Sequence, residues 1–291
     1  MRDALRSIVS TGNYPSNVGL AYDVWAPVGA DGKVPDDKKD SWFETLATQV
    51  IAPHYEHAFK RWKTGFSTRL DRTYDITMQR RLLVGSGNPS ATEIGLTVHH
   101  TWGVPVIPGS SLKGLLAHYV ETTYGPAQPQ LDPPSRSDGA MDRVDFQGVQ
   151  WQDAKIKRGP GKTYRALFGA PEADETDAHK HLDKTATRGL VTFHDALYDP
   201  GSVSRRPFAR DVLTPHQATY HKAAGTIAAN DYDDPIPVNF LSVKPGTKFL
   251  IALNGPPKWT ELAAALLQDA LDEWGVGAKT SSGYGRAKPD R

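Results

Sequence analysis

Two amphipathic stripes, set among segments of period two, constrain this chain more than any other feature. The first is Leu112, Leu115, Leu116, Tyr119 and Val120. The second is Ala263, Leu266, Leu267, Ala270, Leu271 and Trp274, in a helix from about Thr260 that Gly275 closes. Residues spaced by three and four fall on one face of an α-helix, and that face must be buried against another apolar layer. Period two supplies the layer. Ile76, Met78, Leu82 and Val84 share one parity between Tyr74 and Val84, although Arg80 interrupts them. Leu190 to Leu197, Val238 to Val243 and Thr247 to Leu253 read as further strands, the last two joined at Lys244-Pro245-Gly246. Ile94 to His100 reads as a short strand or hairpin arm. The order of strong elements is strand, helix, strand, strand, helix, with a strand to close. That is the β-α-β-β-α-β order of a ferredoxin-like fold, in the α+β class.

The rest of the chain falls around this core. Residues 1–73 read as an N-terminal arm and helical extension, and residues 74–291 as the main domain. In the extension, Tyr14 to Asp40 reads as irregular. Trp42, Phe43, Leu46, Val50 and Ile51, and after Pro53 Tyr55, Ala58, Phe59 and Trp62, have helical spacing and read as core. Long polar insertions fall at about 126–188 and 199–234, with Tyr164 to Gly169 as an apolar anchor inside the first. The 26 glycines and 22 prolines cluster in these stretches.

Composition excludes several functions. There is no cysteine, hence no disulfide, thiol catalysis or cysteine-held metal. No run of about 18 apolar residues exists to span a membrane. Met1 to Ser10 lacks the pattern of a secretory signal. The expectation is a soluble cytoplasmic protein with no membrane partner. The formal net charge is +1, so any contact with nucleic acid must come from a local patch.

Two local patches qualify. In Pro108-Gly109-Ser110-Ser111-Leu112-Lys113-Gly114, a Gly-Ser-Ser turn opens a helix, with Ser110 or Ser111 as natural N-cap. Free amides at the positive end of a helix, with Lys113 beside them, suit a phosphate. The Walker spacing is absent. The second patch is Gly275 to Arg286. There Gly277, Lys279, Thr280, Ser281, Ser282, Tyr284 and Arg286 combine close backbone approach, positive charge, hydroxyls and a stacking face. In a ferredoxin-like core the two patches would line one groove.

The ten histidines offer no metal or catalytic set. His99 and His100 are adjacent and would point to opposite faces of a strand. No His-Glu-x-x-His occurs, and His194, His216 and His221 have no evident partners. Asp195 reads as a capping carboxylate more readily than as a catalytic one. No cofactor, metal ligand or catalytic residue is assigned.

Several blocks in order carry a family resemblance. They are Leu83 to Gly87, Gly103 to Gly114, Leu167-Phe168-Gly169, Gly189 to Ala196, Asp211 to His216, Pro235 to Leu253 and Gly275 to Arg286. With them the chain resembles the RAMP superfamily of CRISPR-associated proteins, most nearly the family of subunit six in the Cmr (type III-B) effector complex. The resemblance implies a ferredoxin-like, RRM-like RAMP core whose glycine-rich loop contacts guide RNA near its 3′ end. It implies other Cmr subunits and target RNA as partners, and a structural role in antiviral defence without catalysis. It also implies a thumb-like projection, assigned here to Tyr198 to Asp234. The aromatic RNP pattern of RRM sheets is missing. The alternatives are a metal-independent endoribonuclease acting on CRISPR transcripts and a protein-only assembly module.

Overall fold

The computed structural model describes residues 17–125, 143–152, 155–172, 185–214, 220, 223, 226–228 and 237–290. Its helices are α1 (Val18–Asp23), α2 (Asp36–Thr48), α3 (His54–Thr64), α4 (Gly109–Tyr124), α5 (Lys162–Phe168) and α6 (Pro257–Glu273). Its first strands are β1 (Asp71–Met78), β2 (Val106–Ile107), β3 (Gln150–Gln152), β4 (Lys155–Arg158), β5 (Gly169–Ala170) and β6 (Thr187–Arg188). The later ones are β7 (Thr192–Phe193), β8 (Ala196–Tyr198), β9 (Phe208–Leu213), β10 (Val238–Val243), β11 (Lys248–Asn254) and β12 (Ala287–Pro289).

The main sheet has the order β12-β1-β11-β8-β2, with β7 paired to the far end of β11, and every pairing is antiparallel. Central strand β11 is buried from Phe249 through Leu253. An unbroken apolar run is what a strand covered on both faces requires. Helix α6 lies against β1, β11 and β12, and α4 packs on α6. Both helices bury the stripes read from their spacing, Leu112, Leu116 and Val120 in one, Ala263, Leu267 and Leu271 in the other.

The chain enters α4 from the outer strand β2, not from β1, and this fixes the helix direction. Gly109 abuts Phe193, while Tyr119 ten residues on bonds Glu273 at 3.0 Å and meets Trp274 edge-on. Helices α4 and α6 therefore run in the same direction.

The N-terminal helices join the same apolar core. Tyr22 stacks on Trp42 at 5.9 Å, and the Tyr55 hydroxyl donates to the Tyr198 carbonyl at 2.7 Å. Helix α1 falls inside the stretch expected to be irregular; the Asn17 side chain starts it by accepting from Leu20.

Four expected strands differ. β1 stops at Met78, and Leu82 instead bridges to Val243. Ile94 to His100 forms only the isolated bridge Val98–Pro105. The segment Leu190 to Leu197 breaks into β7 and β8 at His194–Asp195. β10 and β11 are joined at the expected turn, with Gly246 at φ 80°, but β10 pairs with β9 in a separate hairpin that leans on α2. Much of the expected projection from Tyr198 to Asp234 lies outside the described residues, as does most of 126–188 beyond α5 and its short strands.

Candidate nucleic-acid interface

After α6 the chain returns to β12 through Gly275–Arg286. Gly275, Gly277, Gly283 and Gly285 take φ between 74° and 91°, and Lys279 takes 60°. At Gly277 the cause is contact: a Cβ would stand 2.4 Å from the Leu83 carbonyl. That carbonyl accepts the Ala278 amide at 2.7 Å, and the Arg81 carbonyl accepts the Gly285 amide at 2.7 Å. The loop is thus folded down onto Arg81–Leu83, which explains why Leu82, Leu83 and Val84 are all buried. Within the loop, Ser282 and Tyr284 amides donate to the Lys279 carbonyl. The tip is left free. The amides of Thr280 and Ser281 have no partner among the described residues, and Ser281 and Ser282 are exposed. The Lys279 ammonium lies 6.0 Å above the Phe240 ring.

Two loop residues hold the loop to its neighbours. The Tyr284 hydroxyl donates to Asp211 on β9, whose carboxylate also meets Arg81 at 3.2 Å. Burial, then the hydrogen bond to Asp211, push the phenol up to about 12. Arg286 donates to the Asp272 carbonyl in the last turn of α6.

At the other patch, α4 begins at Gly109, earlier than the expected caps Ser110 and Ser111. Pro108 occupies the cap position and no side chain within the segment caps the helix. Asp195 does so from outside, accepting the Gly109 amide at 2.7 Å. A carboxylate therefore already sits at the positive end of the helix. Glycine is required at 109, because a Cβ there would meet the Phe193 carbonyl at 2.2 Å. Ser110, Lys113 and Gly114 line an open groove of about 610 Å³ with Tyr164, Phe168 and Arg188; Ser111 is half-buried.

The structure does not bring the two patches together. Gly109 abuts Phe193, which pairs with Leu253, while the loop leads into β12, which pairs with Met78. Asp71 at the start of β1 pairs with Asn254. The patches thus lie toward opposite ends of a strand roughly 23 Å long.

Among the described residues, no hydrogen bond, ion pair or ring contact joins a histidine to Val276 to Arg286. His118 meets Trp274 at 5.1 Å, and His194 meets Phe66 at 5.0 Å. Burial lowers His99, against the pull of Asp195. His216 and His221 lie outside the described residues. No group able to hold a metal ion occurs among the described residues, and none of their helices is long and apolar enough to cross a membrane. Sequence reasoning misses Arg81, Asp211 and Phe240 as members of the loop's surroundings. Their one local signal is the Arg80–Arg81 break in the apolar alternation.

A curated relative, the CRISPR system Cmr subunit Cmr6 of Pyrococcus furiosus, is 29% identical over 270 residues, 83% of this chain and 76% of the relative. Among solved structures, a chain from the cryo-EM structure of the type III-B Cmr-beta bound to cognate target RNA aligns with a TM-score of 0.57. That match has 17% identity over 88% of this chain and 72% of the other, and is a likeness of fold. The family model of the RAMP superfamily matches residues 75–288. The span runs from within β1 to within β12 and takes in the main sheet, both long helices and the glycine-rich loop: this chain belongs to the RAMP superfamily.

Proposed function

We propose that this chain is a non-catalytic, RNA-binding structural subunit of a cytoplasmic type III-B CRISPR (Cmr) effector, the counterpart of its subunit six. In this reading it contacts guide RNA near the 3′ end, lies alongside target RNA and other Cmr subunits, and serves antiviral defence. The observation that carries the reading is the loop Gly275–Arg286. Left-handed glycines hold it against Arg81–Leu83 and leave Lys279, two free amides and two exposed hydroxyls outward. Such a surface grips a sugar-phosphate chain without reading its bases. The relative's name supports the complex assigned. The order β12-β1-β11-β8 supports a ferredoxin-like core, modified by β2, which reverses the approach to α4. We place residues 1–73 as an extension to that core and the β9–β10 hairpin as the stem of the thumb.

The test is reconstitution with partner subunits and a guide RNA. Arg286 supports α6, so the informative pair is Lys279→Ala with Lys113→Ala. Guide retention should weaken, and the slope of log K against log salt should flatten by about 0.7 per lost phosphate contact. A variant complex that retains guide as the parent does would refute the interface. Cleavage of a repeat RNA by the purified chain, surviving EDTA, would replace the non-catalytic role with the nuclease one.

A further inference from the structure

At the base of the β9–β10 hairpin lies a group of cations that the reading above does not use. Leu82 and Val243 exchange two backbone hydrogen bonds, of 2.9 and 3.1 Å, which sets Arg81 beside Lys244. The Lys244 amide donates to the Pro207 carbonyl at 2.7 Å, which brings Arg206 to its other side. Two neighbouring arginines are neutralised. Arg81 meets Asp211 at 3.2 Å, and Arg210 bonds Asp40 and stands 3.9 Å from Glu44. Arg206 and Lys244 have no ion pair among the described residues. Burial holds the Lys244 ammonium below the usual lysine range, Arg206 and Arg81 add to this, and Glu44 is the acid acting against it. Like charges set side by side, one of them half-buried, cost the free protein stability.

The backbone that presents Arg206 is itself strained. Val203, Ser204 and Arg205 take φ of 44°, 52° and 58° in succession. A β-branched residue there is an outlier, and such strain persists only where the surroundings enforce it. They do: the Ile51 amide donates to the Arg205 carbonyl at 2.9 Å, and the Arg206 amide to Val203 at 3.0 Å.

The cations also follow a line. Phe240, Ser242 and Lys244 recur every second residue along and just past β10, so they share a face, at steps of about 6.8 Å. Lys279 lies over Phe240, Arg81 bonds the Ser242 hydroxyl at 3.2 Å, and Lys244 comes next. Lys279 and Lys244, neither with an ion pair among the described residues, thus stand toward the two ends of one face, and positive charge spread along a line suits the repeated charge of a nucleic-acid strand better than the irregular charge of an acidic peptide.

We propose that Arg206 and Lys244, backed by Arg81, form a phosphate site that takes one phosphodiester of the bound RNA, separate from the glycine-rich loop. The guanidinium offers a planar pair of donors and the ammonium a point charge. The inference rests on the RNA-binding reading for its occupant.

The test uses the full chain at low salt with single-stranded oligouridylate as probe. Arg206→Gln with Lys244→Gln should weaken binding about tenfold and lower the salt slope by about 0.7, for the one phosphate lost. Lys244→Arg should stay within about twofold of the parent. The glutamine pair should melt no lower than the parent, because the repulsion is gone. If the pair binds as the parent does while Lys279→Ala loses affinity, this site is wrong and the RNA-binding reading stands. If the pair melts well below the parent, the cations are structural and the site is overturned. If inorganic phosphate or polyglutamate binds at these residues and oligouridylate does not, the occupant is wrong. A parent that binds no oligouridylate removes the site, while the reading beneath it is decided by guide retention in the reconstituted complex.

Discussion

The Tyr284 phenol donates a hydrogen bond to the Asp211 carboxylate, and that bond ties the glycine-rich loop to the hairpin strand β9. Arg81 closes the group by meeting the same carboxylate. The stem of the hairpin and the C-terminal side of the loop are therefore bonded to one carboxylate, although they are far apart in the chain.

Tyr284→Phe keeps the ring and removes the bond. A hydrogen bond to a charged partner contributes about 1.5–3 kcal/mol, so the variant should lose about that much stability. The pH dependence has a definite sign. Burial and Asp211 push the phenol up to about 12, above its ordinary value of 10.0. A raised folded value means the contribution is fully present below about pH 10 and lost as pH rises through the folded value. Thermal midpoints of parent and variant should converge across that window. A gap that stays constant would mean the bond is not its source.

Lys39 is only 3% exposed, and its ammonium meets Asp36 at 2.8 Å and Glu93 at 3.0 Å. Glu93 comes from the segment after β1, so the pair fastens α2 to the main domain. Glu93→Gln leaves a buried ammonium short of one counter-charge and should cost about 1–3 kcal/mol. The hydrogen bond from Lys39, aided by Lys33, holds the Glu93 carboxyl below the usual carboxylate range. A depressed folded value makes this contribution present above the ordinary value of 4.5 and lost as pH falls through the folded one. Urea titrations across the acid limb should show a flatter profile for Glu93→Gln; two parallel profiles would rule out the coupling.

The stripes Leu112 to Val120 and Ala263 to Leu271 are legible in the sequence because period and burial coincide along each. β1 is only half legible. Its apolar parity runs on through Leu82, yet the strand ends at Met78, whose carbonyl accepts the Gly246 amide. The break between β7 and β8 cannot be seen locally, because its cause is Asp195 capping a helix 86 residues earlier. The glycine-rich loop is conspicuous by composition alone. Its setting is not, since Arg81, Asp211 and Phe240 reach it only through the Leu82–Val243 bridge and the β9–β10 register. The expected meeting of the two patches fails for a similar reason. The strand β2, two residues long, turns the approach to α4 around.

Gly277 and Gly283 separate two causes of glycine dependence. Both have positive φ, at 91° and 87°. A Cβ at 277 would stand 2.4 Å from the Leu83 carbonyl, while one at 283 would meet nothing within 4 Å. Gly283→Ala should therefore cost only the backbone penalty, about 1–2 kcal/mol. Gly277→Ala should cost clearly more and should loosen the loop, seen as faster amide exchange at Ala278. Equal losses at both positions would show that the close approach to Leu83 contributes nothing.

Gly114 presents the opposite case, a glycine that the fold does not need. It lies inside α4, is exposed, and an added Cβ would meet nothing within 4 Å. Glycine within a helix is worse than alanine by about 1 kcal/mol. Gly114→Ala should therefore stabilise the free chain by up to about that amount, raising its thermal midpoint. The position lines the groove with Ser110, Lys113 and Arg188, and a bare backbone there lets a strand come close. In the reconstituted complex the same variant should weaken guide retention, because the methyl holds the strand away from Lys113. A variant that gains stability and keeps full retention would show that nothing approaches α4 on this side, and would confine RNA to the opposite end of the sheet.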